Sequence, residues 1–407
     1  MPRIGHLRAI AAAAAICAGS HGFPAAAQIS DDVVKIGVLN DLDGLYSDIS
    51  GMGSVIAARL AVEDFGGTVK GKRIEILYAS HQNKTDIAAA IVRKWIDVDK
   101  VDAIADVGPS SAAAAVQEIT RDRDRMFLIS GAASSDLTGR ACSPVGIHWT
   151  YDTYATANGT AKALVKQGGD TWYFLTADYT FGTALERDTS KVVWDSGGKV
   201  LGSVRAPLGT TDYSSYLLAA QGSRAKIVGL ANSGGDTINS IKQAGEFGIV
   251  AGGQRLAGLL VFITDVGSLG LKTAQGLVAT TAFYWDQNDA TRAWTKRFMA
   301  QNAGKVPTMV QAGVYGAVLH YLKAVDASGT DEAAAVSKKM KELPINDFFT
   351  KDARVREDGR VMRDMYLVQV KSPEESKYPF DYYKILATIP ANDAFRPLAE
   401  GHCPFIK

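Results

Sequence analysis

The chain of 407 residues has little of what several classes of protein require. It has no excess of either charge, since 44 basic side chains stand against 43 acidic ones, and no basic cluster that would suit nucleic acid. After the N-terminal segment, no apolar run reaches the roughly 18 residues that a membrane-spanning helix needs. The six histidines show no spacing typical of metal ligands. With 47% apolar and 21% charged residues, the composition is that of an ordinary globular protein.

The local motifs of common enzymes are also missing. We find no Gly-x-Ser-x-Gly nucleophile elbow, no His-Glu-x-x-His zinc motif and no dinucleotide Gly-x-Gly-x-x-Gly after the first strand. Residues 66–72 fit the first seven positions of a phosphate-binding loop, but Arg73 replaces the hydroxyl residue that would hold Mg²⁺. A strand is also expected to follow, where such a loop must open a helix. We therefore expect no catalysis, no metal and no cofactor, with a hydrolase as the remaining enzymatic alternative.

The first 27 residues are typical of a secretory signal. Basic residues precede the apolar run 9–18, and the small residues of 24–27 provide a cleavage site. Cys17 could suggest a lipid anchor, but Ile16 stands before it, where a lipoprotein signal has a small residue. We predict cleavage near Ala27, which removes Cys17 and delivers the mature chain to a bacterial periplasm.

Two cysteines, Cys142 and Cys403, remain in the mature chain. In an oxidising compartment, an even pair suggests a disulfide. It would join the C-terminal tail to a loop in the first half of the chain and so close a very long loop. Two buried free thiols are the alternative, which is less common outside the cytosol.

Strand-like apolar runs alternate with amphipathic helical segments from residue 33 onward. A strand at 33–39 is followed by three helix–strand pairs that end near residue 130. This order predicts a parallel sheet with right-handed crossovers. An irregular stretch at 141–153 interrupts the alternation, which then restarts and continues to a strand predicted at 256–262. Two α/β lobes are therefore expected.

The remaining elements are expected to complete both lobes. They are an extended run at 276–283, helices at 290–303, 310–327 and 331–343 that return to the first lobe, and late strands at 365–370 and 382–389.

Two turns rich in small residues, 108–111 and 131–136, each follow an apolar strand in this pattern. In open parallel sheets, ligands bind in the crevice beyond such strand ends. Ser110 and Ser111 suit a helix N-terminus, where free backbone N–H groups favour an anion such as a carboxylate. For one turn alone, simple helix capping is the better interpretation. For two in succession, a binding site becomes about as probable as capping.

Several short motifs in this order resemble the periplasmic solute-binding proteins of the branched-chain amino acid ABC transporter type. The matching segments are 35–39 with the loop at 43–44, 61–64, 67–74, 108–111, 129–134, 178–182 (Asp-Tyr-Thr-Phe-Gly) and 209–213 (Gly-Thr-Thr-Asp-Tyr). Each motif is weak alone, but their order over about residues 33 to 345 is specific.

The resemblance implies an α/β fold of the type I periplasmic-binding-protein clamshell: two lobes, each a doubly wound parallel sheet, with three hinge crossings. The implied division is a signal peptide at 1–27, lobe 1 at 28–148, lobe 2 at 149–276, a return to lobe 1 at 277–355, and lobe 2 completion with the tail at 356–407. The implied partners are a small carboxylate ligand and the membrane permease of an ABC importer. No nucleic acid is expected, and the chain is expected to be a monomer.

The resemblance also implies a ligand site. The carboxylate would meet the two turns, Tyr46 would shield one side, and Tyr179 and Phe181 would close from the other lobe. The residues assigned to the site in this way are Tyr46, Ser110, Ser111, Ala132, Ala133, Ser134, Tyr179, Phe181 and Asp265.

The position of Asp265 decides which class of ligand is expected. Amino-acid binders of this type place an acid after the strand predicted at 256–262, where it pairs with the ligand's ammonium, and Asp265 is the first acid there. If its side chain does not reach the pocket, a desolvated ammonium would stay unpaired at high cost. That would favour an aromatic or aliphatic acid without an amino group over an amino acid such as a branched-chain one. A sensory protein of the same fold is the alternative to transport.

Overall fold

The computed structural model describes residues 1–2 and 28–406, so the predicted signal peptide lies almost wholly outside the described residues. Lobe 1 is built on a six-stranded sheet in the order β2-β3-β1-β4-β5-β6, in which only the β2–β3 pairing is antiparallel. Its strands are β1 Val33–Asn40, β2 Thr68–Val69, β3 Lys72–Ser80, β4 Ala103–Asp106, β5 Met126–Ile129 and β6 Gly146–His148. The helices between them are α1 Gly51–Phe65, α2 Thr85–Asp97 and α3 Ser110–Asp122.

The central strands of lobe 1 are apolar because both of their faces are covered. On β4, Ala103 and Ala105 belong to the apolar cluster that includes α1, whereas Ile104 belongs to the cluster on the opposite face with α2 and α3. On β5, Leu128 and Phe127 divide between the two faces in the same way. This alternation is that of a doubly wound sheet.

Lobe 2 contains a four-stranded parallel sheet in the order β10-β9-β7-β8. Its elements are α4 Thr153–Lys166, β7 Thr171–Ala177, α5 Thr180–Asp195, β8 Lys199–Ala206, α6 Ser214–Gly222, β9 Ile227–Ala231, α7 Gly235–Glu246, β10 Arg255–Gly258, α8 Ile263–Leu269 and α9 Leu271–Ala274. The strand predicted at 256–262 is therefore wrong beyond Gly258. Residues 259–262 lead from the end of β10 to Phe262, the N-cap of α8, and their apolar side chains are buried.

A three-stranded antiparallel sheet in the order β11-β14-β15 packs against α4. The later elements are β11 Val278–Thr281, α10 Asp289–Gln301, α11 Met309–Ser328, α12 Ala333–Glu342, β12 Arg354–Val355, β13 Val361–Met362, β14 Met365–Val370, β15 Tyr383–Ile389 and α13 Ala391–Ala394. Helices α10 and α11 pack against α1, so this part of the chain returns to lobe 1. The predicted boundary at 277 separates β11 from β14, although the two strands pair. The exact division into lobes stays a prediction.

Three segments of the chain connect the lobes, near the predicted boundaries at 149, 277 and 356. Two buried arginines of the third segment join it to the other two. Arg360 donates from Nη1 to the carbonyl of Tyr151 at 2.9 Å and lies 3.6 Å from the carboxylate of Asp152. Arg363 donates to the carbonyl of Ala282 at 3.1 Å. Each arginine of the third segment therefore holds one of the other two, and both are almost fully buried.

The structure contains a disulfide between Cys142 and Cys403, whose Cα atoms are 5.6 Å apart. Among the helices of residues 28–406, none is long and apolar enough to cross a membrane.

The buried Arg360–Asp152 pair generates a stability prediction. Arg360→Met should lower the free energy of unfolding by about 3–5 kcal/mol, because it leaves Asp152 as an unpaired buried charge. Adding Asp152→Asn should restore part of this loss, since asparagine is neutral and can still accept from the N–H of Ala155 at the start of α4. Urea unfolding followed by circular dichroism measures both effects.

The exposed Arg354 provides the matched control, and Arg354→Met should change stability by less than about 0.5 kcal/mol. Equal destabilisation in the Arg360 single variant and the double variant would show that the ion pair is not the source of the effect.

Candidate functional site

A cavity lies between the two lobes, beyond the carboxyl ends of their parallel strands. Its lining residues are Tyr46, Ile49, Ser50, Gly108, Gly131, Ala133, Tyr151, Tyr179, Phe181, Ser233, Leu260, Phe262 and Val310. Aromatic and aliphatic side chains predominate, and none of these residues is charged. Such a cavity suits a small ligand with an apolar body.

The lobes are closed over this cavity. The hydroxyls of Tyr46, from lobe 1, and Tyr179, from lobe 2, are hydrogen-bonded at 2.7 Å. Gly234 has φ +58°, and a Cβ atom there would lie 3.1 Å from the rings and side chains of Tyr46 and Ile49. The glycine therefore provides both the backbone conformation and the space that the lobe 1 loop needs to reach lobe 2.

The turn at 131–133 is held in place by hydrogen bonds that its carbonyl groups accept. The carbonyl of Gly131 accepts from the hydroxyl of Tyr151 at 2.8 Å, that of Ala132 lies 2.8 Å from His148 Nε2, and that of Ala133 accepts from the N–H of Thr153 at 2.7 Å. His148 belongs to β6, Tyr151 to the first connecting segment and Thr153 to the start of α4. In a trans peptide the N–H points away from the C=O, so the N–H groups of these three peptides point away from the donors, and that of Ser134 donates to Ser110 Oγ at 3.1 Å.

His148 can only donate to the carbonyl that it contacts, so its Nε2 carries the proton. The imidazole is completely buried and near Arg360, and burial is the larger cause that holds its pKa well below its usual range. The ring is therefore neutral at physiological pH, which leaves the hydrogen bond to Ala132 in place.

Several helices begin at the cavity wall, and α3, α5 and α7 are among them. The cavity-lining residues Gly108, Tyr179 and Ser233 lie directly at or just before the N-termini of α3, α5 and α7. None of these three N-termini has a side-chain cap. Their first N–H groups lack intrahelical partners, and their dipoles place positive potential toward the cavity. The electrostatics of the cavity therefore favour an anionic group on the ligand.

Four of the nine predicted site residues line the cavity: Tyr46, Ala133, Tyr179 and Phe181. The others lie close by without lining it. Ser110 Oγ accepts from the N–H of Ser134 at 3.1 Å, and Ser111 Oγ accepts from Thr85 Oγ1 at 3.3 Å. Ala132 is fully buried, and the hydroxyl of Ser134 accepts from the N–H of Asp136. Ligand contact by these nine residues stays a prediction.

Asp265 does not line the cavity. Its Oδ2 accepts from the N–H of Phe262 at 2.9 Å at the N-terminus of α8, and the side chain is 2% exposed. Burial raises its pKa to about 7, against the lowering effect of that hydrogen bond. Asp236, another buried acid of lobe 2, accepts from the N–H of Gly209. Both carboxyl groups thus serve the protein's own backbone.

Several lining residues were not predicted from the sequence. Leu260 and Phe262 were assigned to a strand, and Tyr151 was placed in the connecting segment without a role. Ser233 had a detectable signal, since Asn-Ser-Gly-Gly at 232–235 follows an apolar strand as the two recognised turns do. Ile49 and Val310 come from a loop and a helix N-terminus that only the folded chain brings together.

The raised pKa of Asp265 predicts a pH dependence. In the folded protein the group keeps its proton up to about pH 7, whereas the unfolded chain loses it near the ordinary value of 3.8. Its contribution to stability therefore falls as the pH rises from about 4 to about 7. The variant Asp265→Asn, which can still accept from Phe262, should gain stability relative to the wild type over this interval.

Thermal melting of the two proteins between pH 4 and pH 8 measures this difference. A difference that stays constant across the interval would contradict the assignment of a neutral carboxyl group to the folded state.

Comparison with known proteins places the chain among solute-binding proteins. A periplasmic binding protein from Burkholderia mallei of known structure is 49% identical, with a TM-score of 0.90, and the match covers 92% of this chain and 100% of that one. A branched-chain amino acid ABC transporter periplasmic ligand-binding protein from Burkholderia xenovorans is 40% identical, with a TM-score of 0.81 and coverage of 91% and 99%. The Leu/Ile/Val-binding protein homolog 6 from Brucella melitensis is 22% identical over 359 residues, which are 85% of this chain and 90% of that protein.

The predicted resemblance and the predicted fold class are confirmed by these matches, and the two lobes are those of a type I periplasmic binding protein. Proteins of this kind are non-enzymatic, in agreement with the prediction that the chain is not an enzyme. The sequence profile described as "Periplasmic binding protein" matches residues 33–377, and the chain belongs to this family.

Proposed function

We propose that this protein is the extracytoplasmic solute-binding component of an ABC importer and that it captures a small carboxylate by closure of its two lobes. The observation that carries the proposal is the uncharged cavity onto which three uncapped helix N-termini open. The proposal includes export to the periplasm through residues 1–27 and delivery of the solute to a membrane permease. The name of the relative at 40% identity supports the role in transport.

The carboxylate is assigned to the side of the cavity formed by Gly108, Gly131 and Ala133. Backbone N–H groups of α3 and of the turn at 131–133 would hold it, because the carbonyls of that turn are occupied elsewhere. Donors that are fixed before binding need no reorganisation, so they lower the cost of binding an anion. Tyr46 and Tyr179, whose pKa values burial raises, stay neutral and would exclude water once the lobes close.

The rest of the ligand is assigned an apolar body without an ammonium group. No acidic side chain lines the cavity. Of the nearby buried acids, Asp265 and Asp236 accept from backbone N–H groups, and Asp106, beside Gly131, accepts from the side-chain amide of Asn40. An ammonium group buried against Phe181, Leu260 and Phe262 would lose its hydration without gaining a partner. An aliphatic or aromatic monocarboxylate fits these surroundings better than an amino acid does.

Pairs of ligands that differ in one group test both parts of this assignment. 4-Methylpentanoate and leucine differ only in the ammonium group, whereas 4-methylpentanoate and its amide differ in the charge of the carboxylate. Mature protein should first be stripped of bound solute by unfolding under non-reducing conditions. We expect thermal shifts with 4-methylpentanoate or with benzoate, since a ligand at about a thousand times its Kd adds roughly 4 kcal/mol of stability.

Leucine and the amide should give much smaller shifts than the acid. A larger shift with leucine than with 4-methylpentanoate would contradict the absence of an ammonium site. A shift with the amide equal to that of the acid would contradict the anion site.

A charge placed in the cavity should reverse the selectivity. Ser233→Asp introduces a carboxylate on the lobe 2 side, where Ser233 lines the cavity. It should weaken binding of the acid identified above by about tenfold or more through like-charge repulsion in a desolvated site, and it should favour leucine relative to 4-methylpentanoate.

Ser233→Asn is the matched control, because asparagine has nearly the same size as aspartate but carries no charge. Isothermal titration calorimetry on the three proteins separates the effect of charge from that of volume. Equal affinities in the Asp and Asn variants would show that the ligand's charge is not sensed at this wall.

A further inference from the structure

The C-terminal tail starts on lobe 2 and ends on lobe 1. Helix α13 packs against α4, and the N–H of Ala391 donates to Asp364 Oδ1 at 3.0 Å. Asn158, on α4, donates from its side-chain amide to the carbonyl of Asp393. The tail is therefore docked on lobe 2 up to about residue 394.

From residue 396 onward, the tail contacts lobe 1. Arg396 donates from Nη2 to the carbonyl of Ser135 at 2.8 Å, two residues after the cavity-lining Ala133. A Cβ atom on Gly139 would lie 2.7 Å from the carbonyl oxygen of Gly401, so the tail runs directly over the backbone of lobe 1 there. The disulfide from Cys403 to Cys142 completes the attachment.

Phe395 lies at the point where the tail passes between the lobes. Its side chain is 2% exposed, and the guanidinium carbon of Arg360 lies 4.5 Å from the centre of its ring. Arg356 donates to the carbonyl of Arg396 at 2.9 Å. The tail thus passes beside the same buried arginine that joins two of the other connecting segments.

We propose that residues 394–396 form a fourth connection between the lobes and that the Cys142–Cys403 disulfide makes this connection permanent, which limits how far the cleft can open. The proposal does not depend on which solute the cleft binds.

The distances support a limit on opening. Asp393, the last hydrogen-bonded lobe 2 contact, and Arg396, the first lobe 1 contact, are three residues apart, and three residues span at most about 11 Å. The docked segment 396–402 is short, and its few contacts would exchange readily with water if it were attached at one end only. The disulfide turns its docking into an intramolecular event with a high effective concentration.

Other contacts between the lobes behave differently during opening. The Tyr46–Tyr179 hydrogen bond and the ion pair between Arg187, on α5, and Asp136, at 3.0 Å, must break when the lobes separate. A covalent bond to Cys403 does not break in this motion. The tail therefore acts on the open state, whereas these pairs act on the closed state.

Two full-length variants test the proposal in solute-free protein. Cys142→Ser/Cys403→Ser removes the covalent attachment, and an insertion of Gly-Ser-Gly-Ser between Phe395 and Arg396 lengthens the connection while it keeps the disulfide. Small-angle X-ray scattering should show a radius of gyration larger than that of the wild type, which is about 21 Å for a compact chain of this size. We expect an increase on the order of 1 Å in both variants, as for a hinge that opens further.

The same insertion between Gly252 and Gly253, in an exposed loop of lobe 2, is the control and should leave the radius of gyration unchanged. Melting temperatures are measured in parallel, because loss of a disulfide can lower stability without affecting opening. A wild-type radius of gyration in either the cysteine variant or the 395–396 insertion variant would overturn the proposal, whatever the melting temperatures are.

Discussion

The hydrogen bonds from the first connecting segment to the turn at 131–133 are the constraint on which the candidate site depends. Tyr151, His148 and Thr153 occupy all three carbonyls of the turn. Each bond contributes only about 1 kcal/mol to stability, but together they determine which side of the turn presents its N–H groups. The segment that provides these donors is also one of the connections about which the lobes move. Anion binding and lobe closure therefore share one structural element.

The acids near the cleft illustrate how a buried carboxylate can serve the backbone instead of a ligand. Asp41 accepts from the N–H groups of Gly44 and Tyr46, at 2.8 and 2.9 Å, and so shapes the loop that carries Tyr46 into the cleft. Asp265 performs a similar role for Phe262. Each acid positions an aromatic side chain of the cavity while it stays outside the cavity. The result is a site whose polarity comes from peptide dipoles and neutral hydroxyls.

The hinge region combines buried charge with dense packing. Arg360 and Arg363 are both buried, and each lies over an aromatic ring, Phe395 and Phe349 respectively. Burying a guanidinium is costly unless it is paired, so these residues are weak sources of net stability. They do specify which backbone carbonyls of the neighbouring segments lie within reach. The packing of the tail beside Arg360 extends this arrangement to the C-terminus.

The sequence alone determined the α/β pattern, because strands buried on both faces appear as continuous apolar runs between periodic helices. The strand predicted at 365–370 has the same bounds in the structure, and the helix predicted at 310–327 differs by one residue at each end. The two small-residue turns were recognisable because each follows a strand of a parallel sheet. Four of the nine predicted site residues lie on the cavity wall, and the family resemblance implied their place there.

Tertiary structure decided the rest. An apolar run such as 259–262 has the same sequence pattern whether it lies in a strand or lines a cavity, since both environments exclude water. The direction of the Asp265 side chain depends on where α8 begins, which depends in turn on how residues 259–262 leave the sheet. Likewise, an even number of cysteines in an oxidising compartment suggested that Cys142 and Cys403 pair, but the path of the tail from one lobe to the other depends on contacts between residues more than 200 positions apart. Local sequence cannot encode such a path, because only the packed lobes bring its two ends together.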